Sequence, residues 1–178
     1  MVATVSKSTA LGAAMLLLWQ TAVFAEEAGS DATSGFIAPP PWHEQATVIP
    51  AYPVDADLLP FPVDQPALSQ TFNIDSKSLS VGADGVVRYS VVIVSNSGAR
   101  NVLFEGLRCT TREYRIYAYG EASHKFLPAQ SDKWQPVSQY GWGGFRDVLL
   151  RDYMCDRNLS PYHVNEIKYR LGHTSGMR

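Results

Sequence analysis

Most of the strand-forming sequence lies in Thr71–Gly120, which reads TFNIDSKSLSVGADGVVRYSVVIVSNSGARNVLFEGLRCTTREYRIYAYG. Runs rich in β-branched and aromatic residues alternate here with Gly, Asn, Asp and Ser, which favour turns. Three of these runs have strand length: Val86–Val94, Val102–Cys109 and Tyr114–Tyr119. Because short turns join consecutive runs as antiparallel neighbours, we predict a three-stranded meander over residues 86–119.

The strand predicted at Val86–Val94 has two unequal faces. One face is apolar throughout and is expected to meet the core. It carries Val87, Tyr89, Val91 and Ile93. The opposite face begins polar and becomes apolar, which indicates cover at its far end only. It carries Arg88, Ser90, Val92 and Val94. In the partner strand Gly106 indicates a bulge or a close approach of another group to the backbone.

The segment before these strands is rich in proline. Residues 26–70 contain eight of the 11 prolines, which excludes a long helix or a central strand there. Residues 26–44 are expected to be disordered or weakly ordered. From Trp42 onward the large apolar side chains are too many for a free linker. We therefore predict an extended arm that packs on a single domain, residues 45–175, in preference to a Pro-rich ligand for another protein.

The C-terminal part contains the helical signals. Phe145–Met154 is predicted as a helical turn that leads into a strand near Tyr153. A final helix is expected to have Ser160 as its cap, Pro161 at its first position and Gly172 just past its end. Its predicted buried stripe is Val164, Ile167 and Leu171. The predicted fold class is α+β, a mainly antiparallel sheet with one C-terminal helix packed on it.

Residues 1–25 have the features of a cleavable signal peptide. Lys7 is their one charge, Ala10–Trp19 is apolar, and Val23 and Ala25 are small residues at the expected cleavage site. The apolar run is shorter than the roughly 20 residues that span a bilayer. The sequence therefore predicts export to the periplasm or the extracellular space, with no transmembrane segment left after cleavage.

Two cysteines, Cys109 and Cys155, are present. In an exported chain an even number of cysteines indicates a disulfide, which would stabilise the fold by roughly 4 kcal/mol for a loop of this length. A redox pair is disfavoured because the two cysteines are far apart in sequence. A metal site is disfavoured because no histidine is suitably spaced beside either of them.

The charges are unevenly distributed. Residues 26–76 carry eight acidic side chains and no Lys or Arg, whereas residues 77–178 carry 14 basic and nine acidic side chains. An acidic segment that solvates itself, or one that lies across the basic body and neutralises it, is favoured over an anionic partner, because the basic residues do not form blocks.

The sequence contains no catalytic motif. Neither a His-Glu-x-x-His helix nor a Gly-x-Ser-x-Gly elbow occurs, and Gly141–Gly144 lacks the lysine of a phosphate loop. We predict no catalytic residue, no metal and no cofactor. The alternative is a hydrolase of an envelope polymer that uses carboxylates such as Glu105 and Asp152, with Asp147 as a third candidate. That alternative requires these carboxylates to converge in one cleft.

Arginines and tyrosines are concentrated in the last two strands of the meander. Together with one tryptophan of the glycine-rich loop they form the candidate ligand surface. Its residues are Arg108, Arg115, Tyr117, Tyr119 and Trp142. Simple packing of the tyrosines within the sheet is the competing interpretation. Nucleic acid is not an expected partner, because an exported protein rarely meets it.

Three runs of the chain resemble the cryptic neisserial protein-like family, a group of uncharacterised bacterial exported proteins. They are Ser80–Tyr89 (SVGADGVVRY), Glu105–Cys109 (EGLRC) and Arg151–Cys155 (RDYMC). The resemblance covers residues 45–171. It implies one domain in a bacterial envelope and no enzymatic activity. The expected role is a non-catalytic binding or structural module whose partner is an envelope component, namely cell wall, anionic lipid or protein.

Overall fold

The computed structural model describes residues 40–64 and 69–173, all of which belong to one compact unit, Pro40–Arg178. The predicted signal peptide, residues 1–25, and residues 26–39 lie outside the described residues. No helix of the two described ranges is both long enough and apolar enough to cross a membrane.

The described chain forms an antiparallel sheet of eight strands. They are β1 (Leu58–Phe61), β2 (Thr71–Asp75), β3 (Ser80–Val81), β4 (Val86–Val94), β5 (Arg100–Arg108), β6 (Glu113–Gly120), β7 (Phe126–Pro128) and β8 (Gln135–Pro136). The main path through the sheet is β1-β2-β4-β5-β6-β7, with β3 beside β4 and β8 beside β6. The predicted meander, β4-β5-β6, is confirmed and is the centre of the sheet.

The helices follow the sheet in the chain. They are α1 (Phe145–Val148), a π-helical segment (Leu149–Met154) that continues it, and α2 (Val164–Gly172), with short 3-10 turns at Asp55–Asp57 and Gly141–Gly143. This architecture confirms the predicted α+β class. Residues 40–57, which precede β1, are termed the arm.

Strand β4 is buried on both faces because two layers cover the sheet. On the first, termed the helix face, Val91 and Ile93 join the core formed with the helices. On the second, termed the arm face, Arg88 is 7% exposed and Ser90 is 0% exposed. The prediction that only the far end of this face is covered is therefore wrong. The arm covers its polar end, where Arg88 Nε donates a hydrogen bond to Thr47 Oγ1 (2.9 Å).

The strand predicted near Tyr153 is also wrong. The chain stays helical through Met154, and Cys155 forms a single antiparallel bridge with Pro161. The same bridge delays the final helix, because Tyr162 N donates to Met154 O (2.9 Å) and holds the chain extended. Helix α2 therefore begins at Val164 rather than at Pro161.

The predicted buried stripe of α2 agrees with the structure, whereas the predicted residues at the two ends of the helix do not. Ile167 and Leu171 of the predicted stripe are buried, and Val164 packs at its margin. Ser160 does not cap the helix, and Gly172 is its last residue rather than the residue past its end.

The predicted disulfide is confirmed. Cys109 Sγ and Cys155 Sγ are 2.06 Å apart and the two Cα atoms are 5.7 Å apart. Cys109 follows β5 and Cys155 follows the π-helical segment, and both are buried. The bridge thus joins the central sheet to the helical layer inside the core.

Candidate functional site

A β-bulge in β6 determines which of the candidate residues share a face. Glu105 of β5 pairs with Ile116, and Phe104 pairs with Ala118, so the register skips Tyr117. The extra residue lets Tyr117 and Ala118 both face the arm. After the bulge Tyr119 pairs with Leu103, a residue of the core on the helix face. The bulge therefore separates Tyr119 from Tyr117.

Gly106 provides the room for Tyr117. A Cβ atom at this glycine would lie 2.5 Å from Tyr117 Oη and 2.8 Å from its Cε2, closer than side chains tolerate. The phenol ring packs against Phe104, with the ring centroids 5.4 Å apart. The predicted close approach to the backbone at Gly106 is thus the ring of Tyr117.

The carboxylate of Glu44 is the centre of the site. Its Oε2 accepts hydrogen bonds from Arg115 Nη1 (2.7 Å) and Trp134 Nε1 (3.1 Å). Its Oε1 accepts one from Tyr117 Oη (2.7 Å), and Arg88 Nη2 is 3.9 Å away. Burial raises the pKa of the Tyr117 phenol, and its hydrogen bond to Glu44 raises that pKa further. The phenol is therefore a hydrogen-bond donor at neutral pH.

A second carboxylate, Asp84, attaches the arm to the turn before β4. Its side chain, 1% exposed, accepts bonds from Arg88 Nη2 (2.7 Å) and from the backbone N–H of Gln45 (2.8 Å). The backbone oxygen of Asp84 accepts from Trp42 Nε1 (2.8 Å). Burial raises the pKa of the Asp84 carboxyl, but the bonds from Arg88 and from the backbone outweigh it, so this pKa lies below its usual value.

Arg108 is held between aromatic rings. Its guanidinium carbon lies 3.6 Å from the ring centroid of Trp42 and 5.5 Å from that of Trp134. The two indoles meet edge to face at 5.9 Å, and Arg108 Nη1 also pairs with Glu113 (3.3 Å). Cation–π contacts therefore occupy this arginine within the protein.

An open cleft of about 420 Å³ adjoins the Glu44–Arg115 pair. Its lining includes Glu44, Thr47, Ile49, Arg115, Tyr117 and Pro128. Glu44, Thr47, Arg115 and Tyr117 supply polar groups, and Ile49 and Pro128 supply apolar surface. A cleft of this size and character suits a small molecule or one segment of a polymer.

The predicted ligand surface is therefore divided between two faces. Arg108, Arg115 and Tyr117 lie together on the arm face, in contact with arm residues. Tyr119 is 45% exposed on the helix face. Trp142 is 47% exposed and its ring meets Phe145 of the core at 6.3 Å. The loop that carries it forms a 3-10 turn at Gly141–Gly143.

Glu105, the first carboxylate of the hydrolase alternative, is inaccessible. It is 0% exposed and accepts hydrogen bonds from Arg146 Nε (2.9 Å), Arg146 Nη2 and Tyr89 Oη (3.2 Å). Arg146 is itself 3% exposed and lies 3.9 Å from the ring centroid of Tyr114. A buried carboxylate that an arginine neutralises cannot reach a polymer.

The other two carboxylates also pair with arginines. Asp147 Oδ1 accepts from Arg112 Nη2 (2.8 Å), and Arg151 Nη1 is 3.5 Å from Asp147 Oδ2. The side chain of Asp152 is 47% exposed and pairs with Arg151 at 3.2 Å. Within the described ranges, no three His, Cys, Asp or Glu side chains are arranged to hold a metal ion.

Sequence reasoning missed the arm residues of the site. Trp42 and Glu44 belong to the segment 26–44 that the sequence predicts to be weakly ordered, and the structure instead gives both side chains defined partners. The signal for them was the charge asymmetry. Two ion pairs join the acidic segment to the basic body, Glu44–Arg115 (2.7 Å) and Asp55–Arg100 (2.8 Å).

The model of the CNP1-like family matches residues 37–172, which include the arm, the sheet, both cysteines and the cleft. No curated protein and no solved structure matches the chain. The family match agrees with the resemblance carried by the three sequence runs and extends it to the residues around Glu44. The chain belongs to the CNP1-like family.

Proposed function

We propose that the protein is an exported, non-catalytic module of the cell envelope that binds a cell-wall polymer at the cleft beside Glu44. The observation that carries this proposal is the cleft itself. It is an open groove in which Arg115 and Tyr117 donate hydrogen bonds to Glu44 of the arm. A groove that combines fixed hydrogen-bonding groups with apolar surface suits recognition.

The chemistry of the cleft supports binding rather than catalysis. Both oxygens of Glu44 already accept hydrogen bonds from Arg115, Tyr117 and Trp134. Tyr117 is protonated at neutral pH, since its pKa lies above the ordinary value of 10.0. None of the described lining residues is a histidine or a cysteine. General-base catalysis requires a group that is poised to accept a proton near neutral pH.

The disulfide supports export. Bridges of this kind persist in oxidising compartments and are rare in the cytosol. The Cys109–Cys155 bridge closes a long loop, with a sequence separation of 46. Such a loop contributes about 4 kcal/mol on the chain-entropy model. A buried disulfide agrees with the predicted signal peptide, residues 1–25.

The charge balance favours a polymer with hydroxyl groups over an anionic membrane. The described residues carry 14 acidic and 13 basic side chains, so the body has no excess of positive charge. Binding to anionic lipid draws on clustered basic residues. The cleft offers Thr47, Tyr117 and Arg115 as hydrogen-bonding groups, with Ile49 and Pro128 as apolar surface.

Co-sedimentation with isolated cell-wall sacculi at low salt tests the binding. We expect the wild-type protein to pellet with sacculi. Ile49→Glu places a charge in the cleft and should weaken binding by about tenfold or more. A tenfold change corresponds to a loss of about 1.4 kcal/mol of binding free energy. The matched control is Val48→Glu, because Val48 is the next residue and is 86% exposed.

The proposal fails if the wild-type protein does not sediment with sacculi, or if folded Ile49→Glu and Val48→Glu bind equally. Vesicles of anionic lipid provide a second binding assay. Binding to vesicles but not to sacculi would identify a membrane, rather than the cell wall, as the partner. Fractionation and intact-mass measurement test export: the periplasmic chain should lack residues 1–25 and carry no free thiol. A cytoplasmic chain with two free thiols would refute export.

A further inference from the structure

Three donors of the folded body converge on one carboxylate that the arm supplies. Arg115 Nη1 and Tyr117 Oη donate from β6, and Trp134 Nε1 donates from the segment before β8. Arg88 Nη2, 3.9 Å from Glu44, adds positive charge. Three charge-assisted hydrogen bonds to one carboxylate and a nearby cation are the features of a carboxylate-binding site.

These donors are positioned without help from Glu44. Arg115 and Tyr117 belong to a strand that pairs with β5 along most of its length. Tyr117 is also held between Phe104 and the backbone of Gly106. Trp134 precedes Gln135, which pairs with β6 through Tyr114. The receptor for the carboxylate is therefore preorganised on the sheet, and the arm only fills it.

Glu44 does not use the whole receptor. It takes one nitrogen of Arg115, Nη1, whereas Arg115 Nε is buried and has no hydrogen-bond acceptor among the described residues. Guanidinium groups bind carboxylates best through two parallel N–H bonds. Glu44 therefore leaves one donor of Arg115 idle.

Glu44 can leave without detachment of the arm. Its neighbours Trp42 and Gln45 are held independently by the turn at Asp84, through bonds of 2.8 Å each. Its side chain borders the cleft and is 16% exposed. Rotation of this one side chain is therefore enough to open the receptor, while the chain on either side of it stays anchored.

We propose that the cleft binds its ligand through a carboxylate group, and that Glu44 is an intramolecular stand-in which the ligand replaces on Arg115, Tyr117 and Trp134. The inference rests on the proposed function for the kind of ligand, a carboxylate-bearing fragment of the cell wall. A tethered group competes at an effective concentration in the millimolar range. A simple carboxylate therefore does not displace Glu44, whereas a ligand that also covers Ile49 and Pro128 does.

Acetate rescue of Glu44→Ala tests the receptor directly. We expect the midpoint of thermal unfolding, Tm, of this variant to rise with sodium acetate, relative to sodium chloride at equal ionic strength and pH 7, and to saturate in the millimolar range. The fluorescence of Trp134 should change in parallel. Wild type should show no such rise, because Glu44 already fills the receptor. Asp55→Ala should show none either, because Asp55 is an arm residue that pairs with Arg100 of β5. A variant that folds only in acetate is the same positive result.

The double variant Glu44→Ala/Arg115→Gln should lose the response to acetate. The inference is refuted if Glu44→Ala shows no difference between acetate and chloride, or if the double variant responds equally. Should Glu44→Ala fail to fold in both salts, Glu44→Ser at the same position provides the decisive measurement.

Soluble cell-wall fragments test the ligand. Fragments with free carboxylates should bind Glu44→Ala about tenfold tighter than wild type, a gain of about 1.4 kcal/mol, and the same fragments with amidated carboxyls should lose this gain. Equal binding of the two preparations would overturn the inference while leaving sacculus binding, and with it the proposed function, intact. Acetate rescue without sacculus binding would overturn the proposed function and leave the carboxylate receptor intact.

Discussion

Removal of the buried carboxylate Glu105 should be among the most damaging changes to this protein. Glu105 and Arg146 are 0% and 3% exposed, and they join β5 to α1 across the core. Glu105→Gln keeps the size of the side chain but leaves the guanidinium of Arg146 in the core without a counter-charge. Breaking a buried ion pair on one side costs about 3–5 kcal/mol. That loss is a large part of the roughly 5–15 kcal/mol by which domains are stable.

The appropriate assay is urea denaturation with the disulfide intact, followed by tryptophan fluorescence and by far-UV circular dichroism. The two probes should give the same midpoint if unfolding is two-state. The matched control is Glu166→Gln, which removes an exposed pair with Arg170 in α2 (2.8 Å). Its cost should be about 0.5 kcal/mol or less, because solvent screens this pair.

A double variant shows whether the cost comes from the unpaired charge. Glu105→Leu/Arg146→Met removes both charges, and such replacements are often neutral or even stabilising. We expect the double variant to be at least about 2 kcal/mol more stable than Glu105→Gln, since the single change leaves a buried charge unpaired. A loss of unfolding free energy below about 1 kcal/mol for Glu105→Gln would contradict a buried, unpaired charge. Strict additivity of Glu105→Leu and Arg146→Met in the double variant would also contradict it.

Three further changes test the arm face. Asp84→Asn removes the main counter-charge of the buried Arg88 and should cost about 3 kcal/mol in urea denaturation. Because the folded pKa of Asp84 lies below its ordinary 3.8, wild-type stability should fall as pH drops below that value. The stability of Asp84→Asn should change less over the same pH range. Parallel pH profiles of the two proteins would contradict this expectation. Tyr117 has a raised pKa, so its contribution is complete below its ordinary pKa of 10.0 and is lost above it. Tyr117→Phe should therefore flatten the loss of stability above pH 10.0, and an unchanged alkaline limb would contradict the burial of this phenol. Gly106→Ala forces a Cβ into the ring of Tyr117 and should cost about 1–3 kcal/mol, whereas a neutral result would show that the ring moves freely.

Features that depend on neighbouring residues could be predicted from the amino-acid sequence. Alternation and turn residues located β4, β5 and β6, with bounds close to the observed Val86–Val94, Arg100–Arg108 and Glu113–Gly120. The 3.6-residue period located Ile167 and Leu171 on the buried side of α2. Each of these signals is repeated within a few residues, so local chemistry suffices to produce it.

Contacts between distant side chains, in contrast, depend on how the strands, the helices and the arm pack together. The bulge at Tyr117 reverses the facing of Tyr119, because the phase of a strand after an extra residue depends on pairing with its partner. The contact between Glu44 and Arg115 spans a sequence separation of 71, and no periodic pattern connects residues so far apart. Burial of Glu105 likewise required Arg146, which comes from another element. Long-range pairs of charge are set by the packing of whole layers, so the site, unlike the strands, could not be assembled from sequence alone.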